Sequence, residues 1–207
     1  MLIPMWAQHK VKSNYEKYSQ VRSTSGKTGR EVAEEILHAN GIYDVDVVKG
    51  EGFLTDHYDP NKKVVCLSPA NFDRPSVAGT AIAAHEVGHA IQHQQGYAFL
   101  RFRTALVPLA NIGSSLSYIV IMAGIFLTAL GSDFGSPALW IGAGLMSLAV
   151  LFSIVTLPVE FDASSRAMKQ ITALNIVNEK EYKHARKVLS AAAMTYVAAT
   201  ATAVAEM

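Results

Sequence analysis

The sequence predicts a mainly α-helical chain with a small β-hairpin and a transmembrane helical hairpin. Three observations carry that reading. Two charge-free apolar runs, roughly residues 112–130 and 138–157, follow one another across a short polar loop. Each is near the ~20 residues a helix needs to cross about 30 Å of hydrocarbon. Before them lies a small-residue segment of helical character that carries His85-Glu86-Val87-Gly88-His89. Before that, two β-rich runs flank Asp59-Pro60-Asn61, a turn signal.

Composition agrees with a membrane chain. Half of the 207 residues are hydrophobic and 17% are charged, against about 25% charged in soluble domains. The mean hydropathy is +0.20. Eighteen basic residues stand against seventeen acidic, for a formal net charge of +1. No Lys/Arg run threaded with aromatics occurs, so nucleic acid is not expected as a partner. Cys66 is the single cysteine. It excludes an internal disulfide and reads as a small apolar residue on a strand rather than as a nucleophile. The opening has no basic n-region and is too short for a cleavable signal. It reads as the last turn of a longer segment, with Trp6, Lys10 and Lys12 as an interface anchor.

Taken in order, residues 10–24 are polar and aromatic. Thr28 with Glu31 forms a capping box for a helix whose period is set by Val32, Ile36 and Leu37 and which Asn40-Gly41 stops. Strand-like pieces follow at Asp46–Lys49 and Phe53–Tyr58. The latter pairs across the turn with Val64–Leu67, and Ser68-Pro69 ends the hairpin. Residues 75–94 form a buried helix, with Pro75 in its first turn. The two apolar runs, joined by Gly131–Pro137, make the membrane hairpin. After Pro158, Val159–Ala167 reads as a new helix with an acidic start, followed by a last helix that becomes Ala-rich. The resulting division is 1–103, 104–158 and 159–207. Arg101 and Arg103 precede the first run, Arg166 and Lys169 follow the second, and the loop between has no Lys or Arg. The excess of cations on the flanks puts them, and the His-bearing helix, on the cytoplasmic side.

The chemistry centres on His85 and His89. Side chains at i and i+4 share a helix face, so both imidazoles can meet one Zn2+ at about 2.0–2.1 Å. Glu86 projects beside them. Zinc lowers the pKa of a coordinated water toward about 7, and Glu86 can take its proton and pass it to a leaving amine. This is the zincin-like HExxH arrangement. A third ligand is needed. His93 follows His89 by four residues, but on an unbroken helix it lies about 6 Å further along the axis, which makes it a supporting or surface residue. Glu160 is the better candidate, since two His and a carboxylate leave a position open for water; it could instead complement the dipole of its own helix. Asp162 could orient a ligand imidazole through its second ring nitrogen, or be a helix-start acid. His57 and Tyr58 could stabilise an oxyanion beside a strand that binds substrate, or belong only to the turn.

These residues resemble a family. The Trp-Ala-Gln opening at residue 6, the Val-Lys-Ser-Asn-Tyr and Lys-Tyr-Ser-Gln-Val-Arg-Ser segments, and Leu-Thr-Asp-His-Tyr-Asp-Pro are similar to those of the YugP-type neutral zinc metallopeptidases of bacterial membranes. So are Ala-Ala-His-Glu-Val-Gly-His-Ala-Ile-Gln-His and Pro-Val-Glu-Phe-Asp-Ala-Ser. More distantly the chain resembles the HtpX and CAAX-protease gluzincins, which place HExxH before a membrane hairpin and a glutamate ligand after it. The resemblance implies His85, His89 and Glu160 as ligands of one Zn2+ per chain and Glu86 as general base. It also implies a peptide or protein substrate, the lipid bilayer as surroundings, and a bacterial inner membrane location with the active site facing the cytoplasm. Two departures stand out. Ser164 occupies the position, four after the glutamate, where gluzincins often have Asp, so Asp162 is the candidate for that role. The family also carries a span before the Trp-Ala-Gln segment and further apolar sequence at the end. The expected function is membrane-bound zinc peptide hydrolysis. The alternative is a non-enzymatic membrane scaffold with a structural zinc, which would normally close four protein ligands around the metal. An intramembrane site-two-type protease is excluded by the lack of an Asp-Gly motif and by the polar Gln92–Gln95 stretch.

Overall fold

The computed structural model describes residues 2–205. The element order is α1 (Leu2–Ser19), α2 (Gly29–Ala39), β1 (Asp46–Lys49), β2 (His57–Asp59), β3 (Val64–Leu67) and α3 (Pro69–Asp73). These are followed by α4 (Val77–Gln94), α5 (Ala98–Ala129), α6 (Gly135–Ala173) and α7 (Glu179–Ala205). The chain divides into two compact units, residues 1–97 with 159–195, and residues 98–158 with 196–207.

In the first unit, α2 begins where its sequence requires. The Thr28 side chain accepts from the Glu31 backbone N–H, and the Glu31 side chain returns to the Thr28 N–H, so both halves of the capping box form. Such a cap contributes about 1 kcal/mol. Asn40 and then Gly41, at φ 70°, end the helix. The buried stripe Val32, Ala33, Ile36 and Leu37 packs on α4, whose own buried side chains include Val77, Ala81, Ala84, Val87 and Ile91. Those spacings of three and four residues are the helical period of a core-facing face. The sheet has the order β1-β3-β2, with β1 parallel and β2 antiparallel to β3. Val65 and Leu67 point into the core, while Cys66 lies on the opposite face. The expected hairpin therefore forms, but its first strand is only His57–Asp59.

β2 is anchored at its start by Asp56. This carboxylate accepts from the Ser68 backbone N–H at 2.8 Å and from Asn71 Nδ2 at 3.0 Å. Tyr15 of α1 donates to Asn71 Oδ1 at 3.1 Å. A carboxylate with this many donors is satisfied, and the strand beside α4 is thereby fixed. Three expectations about local structure are corrected and one, the end of the hairpin at Ser68-Pro69, is extended. The opening residues form α1, and Ser68-Pro69 starts the short helix α3 rather than merely ending the hairpin. Pro75 precedes α4, whose cap is Ser76, its hydroxyl accepting from the Gly79 N–H at 3.0 Å. Pro158 starts no new helix; α6 runs through it from Gly135 to Ala173. A proline removes one backbone donor, and a long apolar helix in lipid tolerates that loss.

The second unit contains the apolar helical hairpin. Within it α5 and α6 approach closely at small residues, as helices do where no hydrophobic effect drives them together. A Cβ on Gly113 would stand 2.7 Å from the Leu145 carbonyl oxygen. Ile119, Met122, Phe126 and Ile141 face outward, each at least 60% exposed, a surface suited to lipid rather than water. Among the described residues three helices, α5, α6 and α7, are long and apolar enough to cross a membrane. The third was legible in sequence only as an Ala-rich ending, because its cations are gathered in its first turns.

Candidate metal centre

Helix α4 presents His85 and His89 one turn apart, and α6 presents Glu160 to them. His85 Nε2 lies 3.2 Å from Glu160 Oε2, and His89 Nε2 lies 3.7 Å from the same oxygen. One ligand atom from each of the three residues falls within 4.8 Å of the others. Four ligands placed tetrahedrally at about 2.1 Å from a zinc ion stand about 3.4 Å apart, and the two imidazole–carboxylate separations bracket that value. Glu160, being inside α6, faces no helix N-terminus, and the dipole alternative for it falls away.

The outward nitrogens of both imidazoles are also held. Ser164 Oγ is 3.1 Å from His85 Nδ1. Gln92 Oε1 is 3.0 Å from His89 Nδ1. The Gln92 amide nitrogen donates to the Val159 carbonyl and to Asp162 Oδ2, each at 2.8 Å. Those two acceptors fix which way the amide faces, so its oxygen meets His89 and Nδ1 must carry the proton. His89 Nε2 faces the Glu160 carboxylate, and without a proton it would aim its lone pair at that carboxylate. Two acceptors facing each other in a buried site repel unless a cation or proton stands between them. The donor set, two imidazoles and one carboxylate, suits Zn2+. The residues therefore fit the metal.

Glu86 is buried on α4 beside this set. Burial pushes its carboxyl up; His85 and His89 pull it down, and the negative fields of Glu160 and Asp56 add to the rise. A carboxyl so poised is a proton acceptor nearer neutrality than an exposed glutamate. Close helix crossing makes the arrangement possible. Gly88 sits against the Ala163 backbone of α6, where a Cβ would find the Ala163 carbonyl oxygen at 2.6 Å.

The remaining predicted residues fall in two groups. Asp162 reaches His89 through Gln92 and is held in turn by Arg166 Nε at 2.5 Å. Tyr58 and His93 are hydrogen-bonded to each other, Tyr58 Oη to His93 Nδ1 at 2.8 Å, and His57 Nδ1 is 2.8 Å from the Thr55 carbonyl oxygen. Burial, with Asp44 and Asp59 nearby, pushes the Tyr58 phenol up to about 12. Sequence reasoning missed Gln92 and the contact of Ser164. Both carry a positional signal: Gln92 is three residues after His89, and Ser164 is four after Glu160 on the same helix face.

Two imidazoles converging on a buried carboxylate, a buried glutamate beside them and helices of membrane-crossing length are the arrangement of a membrane metallopeptidase. A sequence model of the family described as "Putative neutral zinc metallopeptidase" matches residues 1–207, and the chain belongs to this family. It is 46% identical over 197 residues to the "Putative membrane protease YugP" of Bacillus subtilis (strain 168), covering 95% of this chain and 85% of that protein. No solved structure matches the chain.

Proposed function

We propose that the protein is a membrane-bound zinc metallopeptidase in which His85, His89 and Glu160 hold one Zn2+ and Glu86 is the general base. The observation that carries this reading is the convergence of three ligand atoms within 4.8 Å from two helices far apart in sequence, with buried Glu86 beside them. Zinc bound there would supply Lewis-acid polarisation of a peptide carbonyl and a water of lowered pKa. Glu86 Oε accepts the proton of the attacking water and delivers it to the leaving nitrogen. Gln92 and Ser164 hold the imidazoles in register through Nδ1. Tyr58, protonated throughout the working pH range, is an O–H donor on β2 and a candidate for the developing oxyanion. β2 is an edge strand of the sheet and can align an extended peptide. Cations on both flanks of the apolar hairpin support a cytoplasmic-facing site in a bacterial inner membrane.

The test is Glu86→Gln in the full chain. It should retain the parent's zinc and lose hydrolysis of a peptide library by at least ~10²-fold, within the range of general base catalysis. Hydrolysis at the parent's rate would remove Glu86 from the mechanism and leave a scaffold with a structural zinc as the better reading.

A further inference from the structure

A cavity in the first unit lies between the C-terminal part of α6 and the first half of α7, and the metal centre does not use it. Its volume is about 970 Å³. Phe161, Met168, Leu189 and Met194 are its apolar lining, and the exposed Lys169 and Arg186 line it as well. A second groove of about 700 Å³ runs beside it, lined by Lys10, Lys183 and Lys187. The two share one wall, Arg186, Ser190 and Met194, residues four apart and so a single ridge of α7. Both volumes are those of small-molecule sites.

Charge and helix pattern say what such a pair of grooves would take. Lys169, Lys183, Arg186 and Lys187 are exposed and form no ion pair among the described residues. On α7 every cation lies before Ser190, and the rest of this candidate span is apolar or small. On α6 the charge-free run ends ahead of Glu160 and Asp162; Arg166, paired with Asp162, and then Lys169 follow. The grooves thus occupy the polar ends of two membrane-length helices, at the level where headgroups lie, and basic pockets in that position bind anionic lipid.

We propose that this double cleft is a binding site for one anionic phospholipid. The phosphate sits on Arg186 at the top of the shared ridge, with Lys169 and Lys183 on either side. One acyl chain lies in each groove. The proposal rests on the helices crossing a membrane, and it stands or falls independently of peptidase activity. Ser164, which holds His85 Nδ1, also lines the larger groove, so an occupied cleft would contact a support of the metal centre.

The experiment is native mass spectrometry of the full chain released from micelles doped equally with phosphatidylglycerol and phosphatidylcholine. The parent should retain phosphatidylglycerol at least tenfold over phosphatidylcholine. Lys169→Gln/Arg186→Gln should lower that preference to near unity. Lys62→Gln/Lys63→Gln, which removes the same charge from the hairpin turn, should leave it intact. Ala193→Phe, which fills the larger groove without touching a charge, should also lose the lipid and covers the case in which the charge variant fails to fold. Equal retention of the two lipids by the parent would overturn the proposal, as would full retention of phosphatidylglycerol by both cleft variants. Displacement of the lipid by millimolar glycerol 3-phosphate or by an acidic peptide would assign the cleft to a soluble phosphate or a peptide and equally overturn it.

Discussion

Substituting Gly88 by Ala tests how tightly the metal centre depends on the crossing of α4 and α6. The new Cβ would meet the Ala163 carbonyl oxygen at 2.6 Å and the carbonyl carbon and Cα at 3.2 Å. All three atoms are backbone, so no side chain can rotate out of the way. Relief to an ordinary contact of 3.4 Å requires the helices to part by about 0.8 Å. Overpacking of this kind costs about 1–3 kcal/mol. The displacement acts where it matters, because Gly88 precedes His89 and Ala163 lies between Glu160 and Ser164. Metal constellations need their ligands held within about 0.5 Å, so a shift of about 0.8 Å exceeds the tolerance. Gly88→Ala should therefore bind zinc at least tenfold more weakly in a chelator competition and melt at a lower temperature without zinc. Parent-like zinc affinity together with a parent-like melting temperature would refute the close-crossing argument.

Two further outcomes follow from the groups around the site. Gln92→Leu removes the acceptor that fixes the His89 tautomer and leaves Asp162 without its amide donor; zinc affinity should fall about 10–100-fold, as it does when such supports are lost, and an unchanged affinity in the same competition would show that Gln92 only fills space. Tyr58→Phe should keep the zinc and lower kcat by about 10²–10³, the worth of one oxyanion donor. Because the phenol is raised to about 12, its proton is held well above the usual tyrosine range, so no alkaline loss of parent activity below about pH 11 should trace to Tyr58; a pH profile of parent and variant checks both statements.

Much of the candidate site's arrangement was legible in the sequence, and physical reasons separate what was from what was not. The His85–His89 spacing speaks through helix geometry alone, and Thr28 with Glu31 announces a cap whose both halves form. The charge-free runs are visible because lipid length imposes a count of residues. Pro158 misled, since a proline inside a helix removes one backbone donor and a long helix can run on through that loss, as α6 does. With α6 unbroken, Glu160 lies in mid-helix instead of near a helix start. Gln92 escaped because an amide carries no charge or metal-ligand character; its role rests on a second acceptor pair, Val159 and Asp162, that only the tertiary fold supplies. Ser164 escaped because a lone serine on a helix carries no signal of a partner, and its contact with His85 comes only from the packing of α6 on α4. The third membrane-length helix was obscured by the Lys and Arg of its first turns and by its high alanine content.

The central claim, a zinc centre of two histidines and one carboxylate assembled from α4 and α6, is tested most directly by metal content per chain in the detergent-purified protein beside His89→Ala and Glu160→Gln. About one zinc per parent chain is expected, and its loss from both variants after the same chelator wash. A parent without zinc after careful handling, or a Glu160→Gln protein that keeps its zinc as firmly as the parent, would contradict it.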